Sequence, residues 1–527
     1  MSLTLEQAIG QKLMLSFVGT QPAADILATL ERQHVGGITL FRSLNVESPA
    51  QVRALTAALQ AQARASGQPP LLLAVDQEGG TLLAVAGTTP FPGNLALGAT
   101  GSTELAYRTG YAIGRELAAM GIHVNYAPVC DVNINPNNPV VGPRSFGGDP
   151  VLVARLSAAM VEGMQAAGVA ATAKHFPGHG DTAVDSHHGM PVLLHDEARL
   201  RRVELPPFVA AVQAGAKLVM TAHIALPNFN GGSDVPATLS PIILRDLLRG
   251  DLSFNGVIIS DAMEMNAIRQ GPGLAIDAIA ATAAGVDMLM LNANASEQQM
   301  IYAALLQAAQ RGLLSTPEVI KSAERVLALK QWCAQVVPPA LDVVGCAEHH
   351  ALAAEIAAKS VTLVRDEAHR LPLRLPPEAR IAVVVPKPEN LTLADTSAYE
   401  TPALANALRA CHPVVDEFII ALDPPEADVA ALHQRMIGYD LVVVGTINAT
   451  AHAGQAALVN AIIQSGTALV AVALRMPYDI QAYPTVPTYV CTYSLQQSSM
   501  TALAQALWGD IPCVGQLPVS IGSALQS

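Results

Sequence analysis

The chain reads as an α/β protein, a (β/α)8 TIM-type barrel followed by a doubly wound αβ sandwich domain. Three observations predict this. From the start to about Lys330, short apolar or β-branched runs alternate with amphipathic segments of helical length. Pro338-Pro339 then breaks any helix, and a second αβ alternation follows. The length, 527 residues at 51% hydrophobic and 14% charged, supplies more core than one domain normally holds.

In chain order the barrel runs are GGITLF at 36–41, LLLAVD at 71–76, HVNYAPV at 123–129, AATAKH at 170–175, KLVMTAHI at 217–224, GVIISD at 256–261 and GVDMLML at 285–291. A closed barrel needs eight strands, so one is missing from this reading or irregular. Asp149-Pro150 reads as an N-cap with a first-turn proline, and Gly168 closes the same helix. Thr316-Pro317 opens the last barrel helix in the same way. Between 103 and 120, Leu105, Ile113, Leu117 and Met120 fall on one face, as a helix packed round a barrel requires. The second domain shows SVTLV at 360–364, RIAVVV at 380–385, DLVVVGT at 440–446 and ALVAVAL at 468–474, with a helical stretch from Gln455 to Gln464. The expected boundaries are 1–335 for the barrel, 336–348 for a linker and 349–527 for the sandwich.

Forty-three acidic against thirty basic side chains give a net charge of −13. That field repels polyanions and argues against nucleic acid or an anionic membrane as partner. The six cysteines, Cys130, Cys333, Cys346, Cys411, Cys491 and Cys513, are scattered without the close pairs of a zinc site or disulfide framework. No basic flank precedes a long apolar run at the amino terminus, and no stretch is apolar enough to span a bilayer. The expectation is a cytoplasmic protein with a small, neutral or weakly charged ligand, and neither a cofactor nor a metal.

A parallel barrel collects its chemistry where the strands end. Here those ends are polar: Asp76 closes the second run, Asp131 follows the third, Lys174-His175 ends the fourth, His223 lies in the fifth and Asp261 ends the sixth. The densest region is AKHFPGHGDTAVDSHHGMP at 173–191, too long for an ordinary αβ connection. Its glycines and prolines define turns, while His175, His179, His187, His188, Asp181 and Asp185 supply titratable groups.

A carboxylate that attacks an electrophilic carbon, paired with a group that gives and later removes a proton, makes a nucleophile and its acid–base partner. Asp261 can serve as the first. Imidazole titrates near neutrality without a large shift, and Asp185, two residues from His187, can orient that ring and favour its cation. Structural roles stand beside these. Asp261 alone fits a salt bridge in the barrel mouth equally well, and His223 fits a satisfied buried histidine. Lys174-His175 fits an ion pair with Asp131, His179 and His188 fit loop-shaping groups, and Glu264 fits a helix-start carboxylate.

The motifs DQEGG at 76–80, NPNNPVVGPRSFGGDP at 135–150, KHFPGHGDTAVDSHHGMP at 174–191, VMTAHI at 219–224 and ISDAMEM at 259–265 resemble glycoside hydrolase family 3, in its bacterial β-N-acetylhexosaminidase branch. SVTLV, DLVVVG and GQLPVSIG at 515–522 extend the resemblance more loosely into the second domain. The resemblance implies Asp261 as nucleophile, Asp185 and His187 as the acid–base dyad, Asp76, Arg144, Lys174 and His175 as the holders of the sugar hydroxyls, and His223 beside them in the substrate-binding set. It also implies an N-acetylglucosaminide substrate, and a monomer or homodimer.

One departure is visible. Relatives follow DQEGG with an arginine and a further basic residue, whereas here Thr81-Leu82-Leu83-Ala84-Val85 follows and the segment to Pro90 is short. That keeps a catalytically silent, sugar-binding barrel open as an alternative. A metal-dependent hydrolase is another, although helix-spaced ligand pairs are absent apart from His175 and His179. A phosphorylase is a third, because neutral histidine does not repel a phosphate acceptor as a carboxylate would.

Overall fold

Eight parallel strands close on themselves in chain order. The structure, a computed structural model, describes residues 3–268 and 273–522. The barrel strands are β1 (Leu13–Leu15), β2 (Gly37–Thr39), β3 (Leu72–Val75), β4 (Val124–Asn125), β5 (Ala170–Phe176), β6 (Leu218–Thr221), β7 (Val257–Ala262) and β8 (Met288–Met290). The strand absent from the sequence reading is β1, which closes the ring between β8 and β2. β4 is shorter than its apolar run, although backbone bonds to β5 continue through Ala127, Pro128 and Cys130.

Period-two alternation divides the strand residues between two cores. Leu72, Ala74, Leu218, Met220, Val257, Ile259, Met288 and Met290 fill the barrel interior. Leu13, Leu73, Val75, Ile258 and Leu289 face outward into a second apolar cluster shared with the surrounding helices. The helix Thr316–Cys333 contributes Val326, Leu329 and Cys333 to the interior cluster. Its position one is Thr316, one residue earlier than the sequence suggests, and Ser315 precedes it without a side-chain cap bond. The helix Pro150–Ala166 begins as expected, with Asp149 accepting from the Val151 amide. Leu105, Ile113, Leu117 and Met120 are all buried along or at the end of the helix Thr103–Ala119.

The carboxy-terminal part is a six-stranded sheet: β9 (Thr362–Asp366), β10 (Ile381–Pro386), β11 (Val415–Ile420), β12 (Leu441–Thr446), β13 (Leu469–Ala473) and β14 (Thr488–Cys491). Its spatial order is β9-β14-β13-β12-β10-β11, with only β9 antiparallel. Both faces are covered. Ile381, Val383, Val443 and Val470 pack with Leu404, Leu408, Leu503 and Leu507, and Ala382, Val384, Val442 and Val444 pack with Val429, Leu458 and Ile462. That second cluster is continuous with the barrel's outer core.

Polar contacts tie the two parts together. Arg108 pairs with Glu355 at 3.0 Å and His349 with Glu116 at 2.7 Å. The closing segment donates from Gln516 N to Ala99 O, and Pro518 O accepts from Gly148 N, both at 2.9 Å. All six cysteines are free thiols. No helix among the described residues is long and apolar enough to cross a membrane.

Candidate active site

A cavity of about 570 Å³ opens at the carboxyl ends of the barrel strands. Asp76, Arg144, Lys174, His175, His187 and Asp261 all line it. These six residues come from five separate stretches of sequence, and the closed barrel brings them to one place.

Asp261 sits near the end of β7, where its Oδ1 accepts from the Ala262 amide at 2.8 Å. Burial alone would raise its carboxyl, but the facing His175, His223 and His187 outweigh that and hold it below the usual carboxylate range. His187 lies on the loop after β5. Its Nδ1 is 2.7 Å from Asp185 Oδ1, which also accepts the His187 amide at 2.9 Å. Burial disfavours the imidazolium, yet the Asp185 hydrogen bond and the Asp261 charge lift His187 above its ordinary value. The Nε2 of this ring makes no hydrogen bond among the described residues.

The loop is held rather than free. Asp131 Oδ1 accepts from the amides of His175 and His179 at 3.2 and 2.7 Å, while Oδ2 lies 2.7 Å from His175 Nδ1. His179 is buried between Thr182 Oγ1 (2.7 Å) and Ser186 Oγ (3.2 Å), and burial lowers it to about 4, so it shapes the loop as a neutral ring. Gly180 passes against the Val132 carbonyl, where a Cβ would lie at 1.9 Å, so only glycine allows this approach. At the far end Asn266 Nδ2 donates to His187 O at 3.0 Å, and Ala267 N donates to Ser186 O at 3.1 Å. The His187 loop therefore rests on the segment that follows Asp261.

The cationic wall depends on a residue that sequence reasoning missed. Glu78 receives Arg144 Nε and Nη2 at 2.9 and 2.8 Å, and Lys174 Nζ at 2.5 Å. Lys174 also reaches Asp76 at 2.6 Å. Burial would raise Glu78, but Arg144 and Lys174 overcome it and hold the carboxyl down at about 2. Lys174 thus pairs with Asp76 and Glu78, and Asp131 pairs with His175 alone. The signal for Glu78 was present in DQEGG, two residues beyond Asp76 in the hairpin made by Gln77–Gly79 and Leu82–Leu83.

Two expectations are corrected. His223 does not line the cavity: it is wholly buried, with Nδ1 2.8 Å from Thr238 Oγ1 and Nε2 3.0 Å from Ala262 O. Both ring nitrogens are used, so it supports the end of β7 rather than touching a sugar. Glu264 starts no helix: it lies in a turn directly after β7. Burial raises its carboxyl to about 7, and it lies outside the cavity lining.

The second domain also reaches the site. Leu391, Asp395, Thr396 and Tyr399 lie in the cavity wall opposite the barrel. Thr396 N donates to Thr81 O at 2.8 Å, and its hydroxyl both accepts from Leu83 N at 3.0 Å and donates to Thr81 O at 3.1 Å. The segment that departs from the expected basic pattern is thus a docking strip. Asp395 is fixed by Arg475 at 2.6 Å, and Arg42 stacks 4.1 Å from the Tyr399 ring centre. Among the described residues, the ligand atoms that cluster with metal-site spacing belong to Asp181, His195 and Glu204. Arg199 already pairs with both carboxylates at 3.5 and 3.0 Å, and neither Asp261 nor His187 is part of the cluster.

A closed parallel barrel with these groups at its carboxyl mouth defines a glycoside hydrolase. The chain belongs to glycosyl hydrolase family 3, whose "Glycosyl hydrolase family 3 N terminal domain" profile matches residues 4–329. It is 32% identical to "Beta-hexosaminidase A" of Pseudoalteromonas piscicida, over 98% of this chain and 97% of that one. It is 30% identical to "Beta-N-acetylglucosaminidase/beta-glucosidase" of Cellulomonas fimi, over 98% and 93%. Among solved structures, a family 3 β-N-acetylglucosaminidase from Paenibacillus sp. str. FPU-7 superposes with a TM-score of 0.94 at 40% identity, covering 99% of both chains.

Proposed function

We propose that the chain hydrolyses terminal β-linked N-acetylglucosamine with retention of configuration, Asp261 acting as nucleophile and His187 as proton donor and acceptor. The observation that carries this is that the Asp261 carboxylate and the carboxylate-oriented imidazole of His187 line one cavity. The relatives named β-hexosaminidase and β-N-acetylglucosaminidase support the choice of sugar.

In the first step an Asp261 oxygen attacks the anomeric carbon, and the departing glycosidic oxygen takes the proton from His187 Nε2. In the second, water attacks the same carbon, gives its proton to His187 and releases Asp261. Asp185 keeps the ring in orientation and stabilises its cation, as the third member of a triad does. Asp76, Arg144, Lys174 and His175 hold the sugar hydroxyls, with Glu78 fixing the two cations so that little reorganisation is needed on binding. In this reading His223 moves from the sugar to the support of Asp261.

We further read the chain as a barrel at 1–335, a linker at 336–348 and a sandwich at 349–527. It would work in the cytoplasm, as a monomer or homodimer, on muropeptide or short chitin-type glycosides. The test is a panel of aryl β-glycosides of N-acetylglucosamine, N-acetylgalactosamine, glucose and xylose, assayed with chelator present, with and without phosphate. Fast chelator-resistant release from the N-acetylglucosaminide, giving free sugar, is expected. Preference for the glucoside would overturn the substrate, a sugar 1-phosphate product would replace hydrolysis with phosphorolysis, and loss on chelation would favour a metal enzyme.

A further inference from the structure

A second cavity, of about 470 Å³, lies at the opposite end of the barrel. Lys12 precedes β1, Asp287 precedes β8 and the helix Thr316–Cys333 begins beside them, so this is the amino-terminal mouth. In a chain of net charge −13 the lining is unexpectedly cationic. Lys12, Arg245, Arg249, Lys321 and Arg325 face it, against the carboxylates of Asp287 and Glu318.

Asp287 cannot neutralise this set. Its Oδ1 takes Arg325 Nε and Nη2 at 3.0 and 2.7 Å and Ser322 Oγ at 2.8 Å, and its Oδ2 takes Arg249 and the Ile258 amide. Lys12 Nζ meets only neutral oxygens: Val286 O at 2.8 Å, Asp287 O at 3.1 Å and Ser322 Oγ at 2.7 Å. Burial lowers Lys12 to about 8, with Asp287 pulling the other way and Arg325 and Arg249 adding to the fall.

Donors remain unused. Arg325 Nη1 and Lys321 Nζ have no partner among the described residues. Arg245 spends one bond, from Nη2 to Ala283 O. The Thr282 hydroxyl, 8% exposed and part of the lining, has no partner either. Ser315 and Glu318 bring the first turn of an 18-residue helix to the cavity, and that end of a helix carries partial positive charge.

We propose that this cavity binds a small oxyanion, phosphate or a phosphate monoester, at the barrel end remote from the catalytic residues. Arginine forks and a lysine point charge suit tetrahedral oxyanions, and the volume admits a monoester as well as the free ion. The negative field of the whole chain disfavours anions elsewhere on the surface, so the pocket is selective by contrast.

The test titrates the full-length protein calorimetrically with inorganic phosphate and with glucose 6-phosphate, against potassium chloride at matched ionic strength. Saturating N-acetylglucosamine keeps the catalytic cavity filled. Saturable binding is expected in the wild type. The double variant Arg245→Ala/Lys321→Ala, both exposed residues away from the catalytic mouth, should weaken it about tenfold or more and leave glycoside turnover unchanged. Tighter binding of the ester identifies a monoester as ligand, and equal binding identifies the free ion. Absence of saturable binding, equal affinity in the double variant, or loss of binding when the sugar is present would each overturn the assignment.

Discussion

Asp185 Oδ1 receives two bonds from one residue, His187: the backbone amide at 2.9 Å and the ring Nδ1 at 2.7 Å. A single oxygen thereby sets both the course of the loop and the plane of the imidazole. With Nδ1 engaged, Nε2 is the ring nitrogen left without a partner among the described residues, and the proposed mechanism places the exchanged proton there.

This relation fixes the expected pH dependence. Glycosylation needs Asp261 ionised and His187 protonated, so kcat/KM should be bell-shaped. The acid limb should lie below the ordinary carboxylate range, because His175, His223 and His187 outweigh the upward pull of burial on Asp261. The alkaline limb should lie above the ordinary histidine value, because Asp185 and Asp261 outweigh the downward pull of burial on His187. Asp185→Asn should move the alkaline limb to lower pH, and a limb that stays put would separate Asp185 from the proton.

Asp261→Ala should lower kcat by several orders of magnitude while substrate still binds, since on the proposed mechanism it removes the group that forms the covalent intermediate. A mechanism-based fluorinated sugar should label the peptide carrying Asp261; label on another side chain would reassign the nucleophile.

His187→Ala should spare aryl glycosides with good leaving groups and cripple those with poor ones, because only the latter need protonation. Measuring kcat/KM across a series of phenols gives the slope directly. Equal losses along the series would make His187 structural.

Glu78→Gln should destabilise the fold by about 3–5 kcal/mol and reduce activity, since it leaves Arg144 and Lys174 buried without their shared anion. Because folding depresses the Glu78 carboxyl to about 2, its contribution is complete above the ordinary carboxylate value of 4.5 and disappears as pH falls toward 2. Thermal melts of the two proteins should therefore differ at pH 7 and converge in acid. A constant gap would place the cost in packing instead.

Truncation before the helix Ala347–Ser360 should yield an inactive or insoluble barrel. It removes the wall carrying Thr396 and Tyr399 and bares the apolar patch that Leu352 and Ile356 cover. An assay with a sedimentation run would show it, and a soluble, fully active barrel would make the second domain dispensable.

Much of this was legible in sequence because a parallel barrel makes two-sided apolar runs and gathers polar residues where the runs stop. Seven strands announce themselves in this way. β1 does not, because only Leu13–Leu15 are extended and the helix Leu5–Gln11 ends just before them. In the second domain β11 is an edge strand whose exposed positions hold Asp416 and Ile419, so its run is diluted. Asp76, Lys174, His175 and Asp261 could be picked from strand ends. Glu78 lies in the DQEGG motif but past the strand end, and its partner Arg144 is distant in sequence, so only the fold shows what it holds. The Leu391–Tyr399 wall could not be picked either, because nothing local marks a polar loop as neighbour to a site formed by the other half of the chain.

Asp131 has a consequence of its own. One carboxylate grips the ring of His175, which lines the cavity, and the amide of His179, at the start of the loop that leads to His187. Ligand fit and loop placement therefore share a hinge pin: a change that tilts the one must also swing the other. On the proposed mechanism, selectivity and proton delivery would be mechanically inherited together.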